Sequence, residues 1–287
     1  MDTVKFLLPS NKRLVLLLLT YILGYMITVM AGAALSFLGG AEKATAMLRI
    51  STVVQDVFML VLPAVITAVI ATRNPAGLLA VSRFPSWKMV LVAIAVMILS
   101  SPLMTWIIRL NASIHLPESL AGLEDALRTM ENNASSAVET VLGAHSIPNL
   151  IMSLLIVGIL AGFSEELLFR GALQRLLGAT RLSQHAAVWI AAVIFSVVHF
   201  QFFGFVPRML LGAFFGYLLL WSGSVWLPMT IHMINNSMFI ILRYTTGSGD
   251  YQVMPEAPAW IPIIISTLLT VAGLWWLYKN RKENEKC

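Results

Sequence analysis

Long apolar runs alternate with short polar breaks along almost the whole chain. Runs at 14–38, 52–72, 89–108, 149–174, 184–203, 206–222, 225–243 and 259–279 read as membrane helices, because a helix satisfies its own backbone in lipid and needs about 20 apolar residues to cross. The pattern predicts an all-α polytopic bundle of about eight transmembrane helices with the active site inside it. Residues 117–143 differ in kind: Glu118, Glu124, Asp125, Glu131 and Glu139 stand against Arg128, while Leu120, Leu123, Leu127 and Met130 recur at helical spacing. This stretch is expected to be an amphipathic helix on the outer face or a solvated loop. The chain then divides into a three-helix membrane segment at 1–110, an extracytoplasmic acidic segment at 111–148, a four-helix core at 149–245, and a last helix with a basic tail at 246–287.

Composition places these helices in lipid. Of 287 residues, 58% are hydrophobic and 11% charged, and mean hydropathy is +0.82; soluble proteins carry about a quarter charged residues. A net charge of +5 could suggest nucleic acid, but the basic residues are scattered over loop ends without interleaved aromatics, so lipid is the expected partner and nucleic acid is not. Eight spans put both termini on one side. Only Lys43, Arg49, Arg109, Arg128, Arg208 and Arg243 of the 19 Lys and Arg fall on the other, which makes the termini cytoplasmic, in the plasma membrane of a bacterial cell.

The single cysteine, Cys287, excludes an intrachain disulfide, a CxxC metal pair and an embedded thiol nucleophile, and it is not placed for prenylation. Lys5, Lys12 and Arg13 ahead of an apolar run are reminiscent of a signal peptide. That run is longer than a signal core, so an uncleaved first helix is expected.

Ionisable groups inside a bilayer are costly and tend to mark function. The front part offers Gln55 and Asp56, read as an interfacial end or a helix cap. The rear part offers more. Gly162-Phe163-Ser164-Glu165-Glu166-Leu167-Leu168-Phe169-Arg170-Gly171 sets two adjacent carboxylates and an arginine in one helix. Glu166 and Arg170, four apart, can pair, while Glu165 points about 100° away and stays free for proton transfer. By itself this segment reads equally as an ion pair marking a helix end.

Phe195 and His199, Arg208, and then His232, Asn235 and Asn236 follow in further apolar helices. A lone histidine in such a helix is commonly a packing residue; two, in separate helices of the same region, point to a site. His232 and Asn236 leave their helix on one face and could supply two donors to an oxyanion. Gly158 with Gly162, and Gly212 with Gly216, are spaced to let helices approach closely. Gly223-Ser224 marks a break between helices.

The order Glu-Glu-x-x-x-Arg, Phe-x-x-x-His and His-x-x-x-Asn, each in a hydrophobic helix, resembles the CAAX-protease and bacteriocin-processing family, also called the Abi family. The matching residues are Glu165, Glu166 and Arg170, Phe195 and His199, and His232 and Asn236. The resemblance implies a glutamic-type intramembrane peptidase in which Glu165 with His199 activates water, His232 and Asn236 stabilise the oxyanion, and Glu166 with Arg170 holds the carboxylate helix. In prenyl-processing members the substrate is a lipidated C-terminal tripeptide; bacterial members serve varied peptides. The expected partners are therefore membrane lipid and a peptide or protein substrate in or near the membrane.

No cofactor is expected, but a zinc version would use Glu165, His199 and His232 as ligands around an open water position. A serine mechanism is disfavoured, because Ser164 lies outside any GxSxG elbow. A proton-coupled transporter would use similar residues, but inverted repeats and paired broken helices are not apparent. A non-catalytic immunity or scaffold protein retaining the site is the remaining alternative.

Overall fold

A computed structural model describes residues 4–38, 43–247 and 260–281. The basic tail residues Lys282 and Lys286, and Cys287, lie outside the described residues. The described chain is a bundle of helices, with one isolated bridge between Phe6 and Thr72. In order these are α1 (Ser10–Leu38), α2 (Ala44–Ala71), α3 (Trp87–Leu99), α4 (Ser101–Ala112), α5 (Ala121–Leu142), α6 (Ile147–Gly178), α7 (Gln184–Val197), α8 (Phe205–Ser222), α9 (Trp226–Thr246) and α10 (Trp260–Lys279).

All eight expected segments are helical, but not all are equivalent. Among the described residues five helices are long and apolar enough to cross a membrane, or six if α3 and α4 form one bent span. α9 is less apolar than these because it carries His232, Asn235, Asn236 and Ser237. α7 is short: 14 residues reach about 21 Å, less than a hydrocarbon core of about 30 Å.

The expected single helix at 89–108 is instead bent by 48° between α3 and α4. Pro102 supplies no N–H and cannot continue the ladder. Ser266 of α10 fills the gap, donating to Leu99 O (2.6 Å) and accepting from Leu103 N (3.3 Å). The break is thus satisfied from inside the bundle, as lipid requires.

Three stretches of wide π turn interrupt otherwise regular helices: Asp56–Val61 in α2, and Leu154–Leu160 and Leu167–Gln174 in α6. Pro63 lies two residues past the first, so its missing N–H falls where the ladder is already rearranged. The other two flank the Glu165–Glu166 turn. α6 continues to Gly178, which puts both glutamates in the helix interior and rules out an ion pair at a helix end.

The acidic segment is helical, as α5. Leu120, Leu123 and Met130 of its apolar stripe stay exposed, and only its end, at Val141 and Leu142, is buried. Polar contacts hold the rest. Glu131 accepts from Phe203 N at 3.0 Å, Arg243 pairs with Glu139, and Arg49 donates to the Val141 and Leu142 carbonyls at 2.8 and 3.0 Å. At its start Glu124 accepts from Leu116 N, Arg128 and His115. The Leu116 N–H first, and Arg128 next, hold the Glu124 carboxyl down to about 2.

Candidate functional site

The centre of the site is an arginine that no water reaches. Arg170, 0% exposed, donates from Nη1 to Glu166 Oε1 at 2.8 Å and from Nη2 to Gly212 O at 2.9 Å. Phe195 and Phe215 present their rings to the guanidinium, 4.4 and 5.5 Å from their centroids. One turn on, Gln174 repeats the contact and donates to Gly216 O at 3.0 Å. Arg170 and Gln174, four apart on α6, therefore meet Gly212 and Gly216, four apart on α8.

A Cβ at Gly212 would stand 3.1 Å from Arg170 Nη2, and one at Gly216 2.8 Å from Gln174 Oε1. The second small-residue pair thus has a specific reason: each glycine leaves room for the polar head that binds its carbonyl. The first pair brings α6 against α9. A Cβ at Gly162 would stand 3.0 Å from Met233 N, and one at Gly158 2.7 Å from Ser237 Oγ.

His232 enters through that close contact. Its Nδ1 lies 2.8 Å from the same Glu166 oxygen that binds Arg170, and its Nε2 lies 3.7 Å from Glu165 Oε2. The imidazole sits between the two carboxylates, stacked on Phe215 at 4.7 Å and edge-on to Phe195 at 6.1 Å. Glu166 is fully buried, whereas the Glu165 side chain keeps 20% of its surface. Since Glu166 is paired with Arg170 and accepts, Nδ1 is the nitrogen that carries hydrogen. The two adjacent glutamates, expected to act independently, meet on one ring.

His199 was expected inside a membrane helix. It lies beyond the end of α7, because Phe200 adopts φ +53° and Ser196 donates to Phe205 O at 2.7 Å, turning the chain back. Its Nδ1 donates to Phe195 O at 2.7 Å and its ring meets Phe195 at 4.9 Å, so Phe195 separates the two histidines. Asn236 donates to Val157 O at 3.2 Å, leaving the second N–H of its amide. Arg208 binds Gln201 Oε1 next to the His199 loop and is not hydrogen-bonded to either glutamate.

Asp56 departs most from expectation. It is no interfacial cap: it is 2% exposed, and the hydroxyl of Ser164, the residue before Glu165, lies 3.1 Å from its Oδ1. Nothing in a lone carboxylate 108 residues from its partner signals that contact in the sequence. Gln174 had a signal, the shared four-residue spacing with Gly212 and Gly216; Phe215 had none.

A cleft of about 560 Å³ opens between α2 and α6, with Arg49 and Asn149 at one end and Val53 and Ile156 along its walls. Ile156 adjoins Val157, which holds Asn236, and Val53 is one turn from Asp56. Among the described residues no three His, Cys, Asp or Glu side chains are grouped to hold a metal ion. Glu165, His199 and His232 form no such group.

Residues 147–238 match the family described as type II CAAX prenyl endopeptidase Rce1-like. The uncharacterized protein YpbD of Bacillus subtilis (strain 168) is 30% identical over 103 residues, 34% of this chain and 48% of that protein. The chain thus spans about half the length of the curated relative it matches. No solved structure matches it significantly. The resemblance carried by the three motifs therefore holds, and the matched segment contains every motif residue from Glu165 to Asn236 while leaving out Asp56.

Proposed function

We propose, from a segment 147–238 that is Rce1-like, that this integral membrane protein is an intramembrane endopeptidase cleaving a membrane-associated or C-terminal peptide. One observation carries the reading: of two adjacent glutamates, Glu166 is consumed by Arg170 and His232, while Glu165 keeps an accessible carboxylate beside His232 Nε2.

In this reading Glu165, with His199, takes a proton from water as the oxygen attacks the scissile carbonyl carbon. The developing oxyanion receives the second Asn236 N–H and, from a doubly protonated His232, the Nε2–H; Nδ1 stays on Glu166 meanwhile. The proton taken from water then passes to the leaving nitrogen. Glu166, Arg170 and Phe195 orient these groups, and Arg208 sets the loop behind His199. A metal-free reaction is part of the proposal.

The cleft between α2 and α6 offers an apolar segment a lateral approach. It lies at the Arg49 end, the side that carries fewer basic residues. Five spans would separate the termini; six, or eight, keep both in the cytoplasm, the arrangement that the distribution of Lys and Arg supports.

The test is turnover of an internally quenched peptide carrying an S-farnesyl cysteine four residues from its C-terminus, with purified protein before and after exhaustive chelation. Wild type should cleave it in both cases, and Glu165→Gln and His199→Ala should not. Equal rates in all variants would sink the assignment; loss on chelation with recovery by zinc would replace it with the metal reading.

A further inference from the structure

Asp56 belongs to the front helices, outside the Rce1-like segment, and the reaction above does not use it. The π turn Asp56–Val61 packs it against the Ala161–Glu166 turn of α6. Ser164 Oγ lies 3.1 Å from Asp56 Oδ1 and also 3.1 Å from Ala161 O. A hydroxyl has one hydrogen and cannot make a full bond to both. If Ser164 closes the ordinary intrahelical bond to Ala161, the contact with Asp56 needs a hydrogen from Asp56.

The surroundings agree with this. Among the described residues no cation is hydrogen-bonded to Asp56, its Oδ2 has no hydrogen-bond partner, and Glu165 is close enough to repel a second negative charge. An unpaired carboxylate in such a place is far costlier than a carboxylic acid.

We propose that Asp56 is a positioning residue of the site: a carboxyl that retains its hydrogen, donates it to Ser164, and so fixes the turn carrying Glu165 toward His232. Positioning Glu165 matters only if Glu165 reacts, so this part rests on the peptidase reading; the protonated Asp56 does not.

Two measurements separate them. Dicyclohexylcarbodiimide modifies carboxyl groups that carry hydrogen in apolar surroundings. Treated with it, the purified full-length chain should yield a mass-mapped adduct on Asp56, whether or not any peptide is cleaved. An unmodified Asp56, with other carboxyls labelled, overturns the proposal. On the farnesylated peptide, Asp56→Ala should lower kcat about tenfold or more at little-changed KM. Asp56→Asn, whose amide N–H can donate to Ser164, should recover most of the loss. Full kcat in Asp56→Ala, or no recovery in a folded Asp56→Asn, overturns the positioning role. Should Asp56→Ala fail to fold, Ser164→Ala removes the same contact and should show the same kcat loss. A wild type inactive on this peptide counts against the peptidase reading alone, and the adduct still decides Asp56.

Discussion

Glu166 binds Arg170 and His232 through one oxygen, at 2.8 Å to each. Stability and the orientation of the imidazole therefore rest on the same carboxylate. Glu166→Ala should lower the thermal stability of the detergent-solubilised protein, since breaking a buried pair costs about 3–5 kcal/mol. It should also reduce turnover, because His232 Nδ1 loses its acceptor. Arg170→Lys should not rescue Arg170→Ala: an ammonium cannot hold Glu166 and Gly212 O with the guanidinium fork. Thermal unfolding beside peptide cleavage checks all three statements, and intact turnover in a destabilised Glu166→Ala would sink the role given to the Glu166–His232 contact.

Glu165→Gln should behave oppositely. The amide keeps the volume of a half-buried side chain but cannot accept a proton from water. Unfolding should match wild type while cleavage drops by roughly 10²–10⁴. A destabilised but active variant would mean that the roles of the two glutamates are exchanged.

Gly212→Ala and Gly216→Ala should each destabilise by about 1–3 kcal/mol through overpacking, because the added methyl meets Arg170 Nη2 at 3.1 Å or Gln174 Oε1 at 2.8 Å. Gly32→Ala in α1 meets nothing within 4 Å and should leave the melting temperature unchanged or raised. Equal effects at the three positions would remove the steric explanation.

Glu124 provides a pH-dependent contact outside the membrane helices. Its carboxyl is held at about 2 against an ordinary 4.5, so below the ordinary value the unfolded segment binds more protons than the folded one. The stability it contributes is complete above about 4.5, falls as pH drops, and is gone near 2. The protection of amides at the start of α5, expressed relative to their intrinsic exchange at each pH, should fall between pH 5 and pH 3 in wild type. In Glu124→Gln it should be low at both, and pH-independent protection in wild type would contradict the assignment.

Which parts of this arrangement the sequence made legible follows from the range of each signal. Glu166 and Arg170 are four apart on one helix, and their pairing follows from helix geometry alone. Gly212 and Gly216 announced a close approach but not its object, because the polar heads they admit come from α6. The carboxylate of Asp56 looked like a helix end, since burial by a helix more than a hundred residues away leaves no local trace. His199 was expected within its helix because hydrophobicity continues through Phe200 and Phe202 to Phe203; the helix ends where Phe200 takes a left-handed backbone, which hydropathy does not register. The turn at Pro102 was visible as a residue, while its repair by Ser266 depends on a helix far along the chain.

The wide turns of α6 have one more consequence. A π turn absorbs an additional residue without breaking the helix, and everything beyond it is rotated by about 100° relative to an uninterrupted α-helix. With such a turn at Leu154–Leu160, the direction in which Glu165 and Glu166 face depends on residue number as well as residue type. Loss of one residue within that stretch would let the wide turn close to an ordinary α turn and leave both carboxylates facing His232. The same loss in the regular turn at 161–164 would keep both carboxylates in the sequence and turn them away by about 100°.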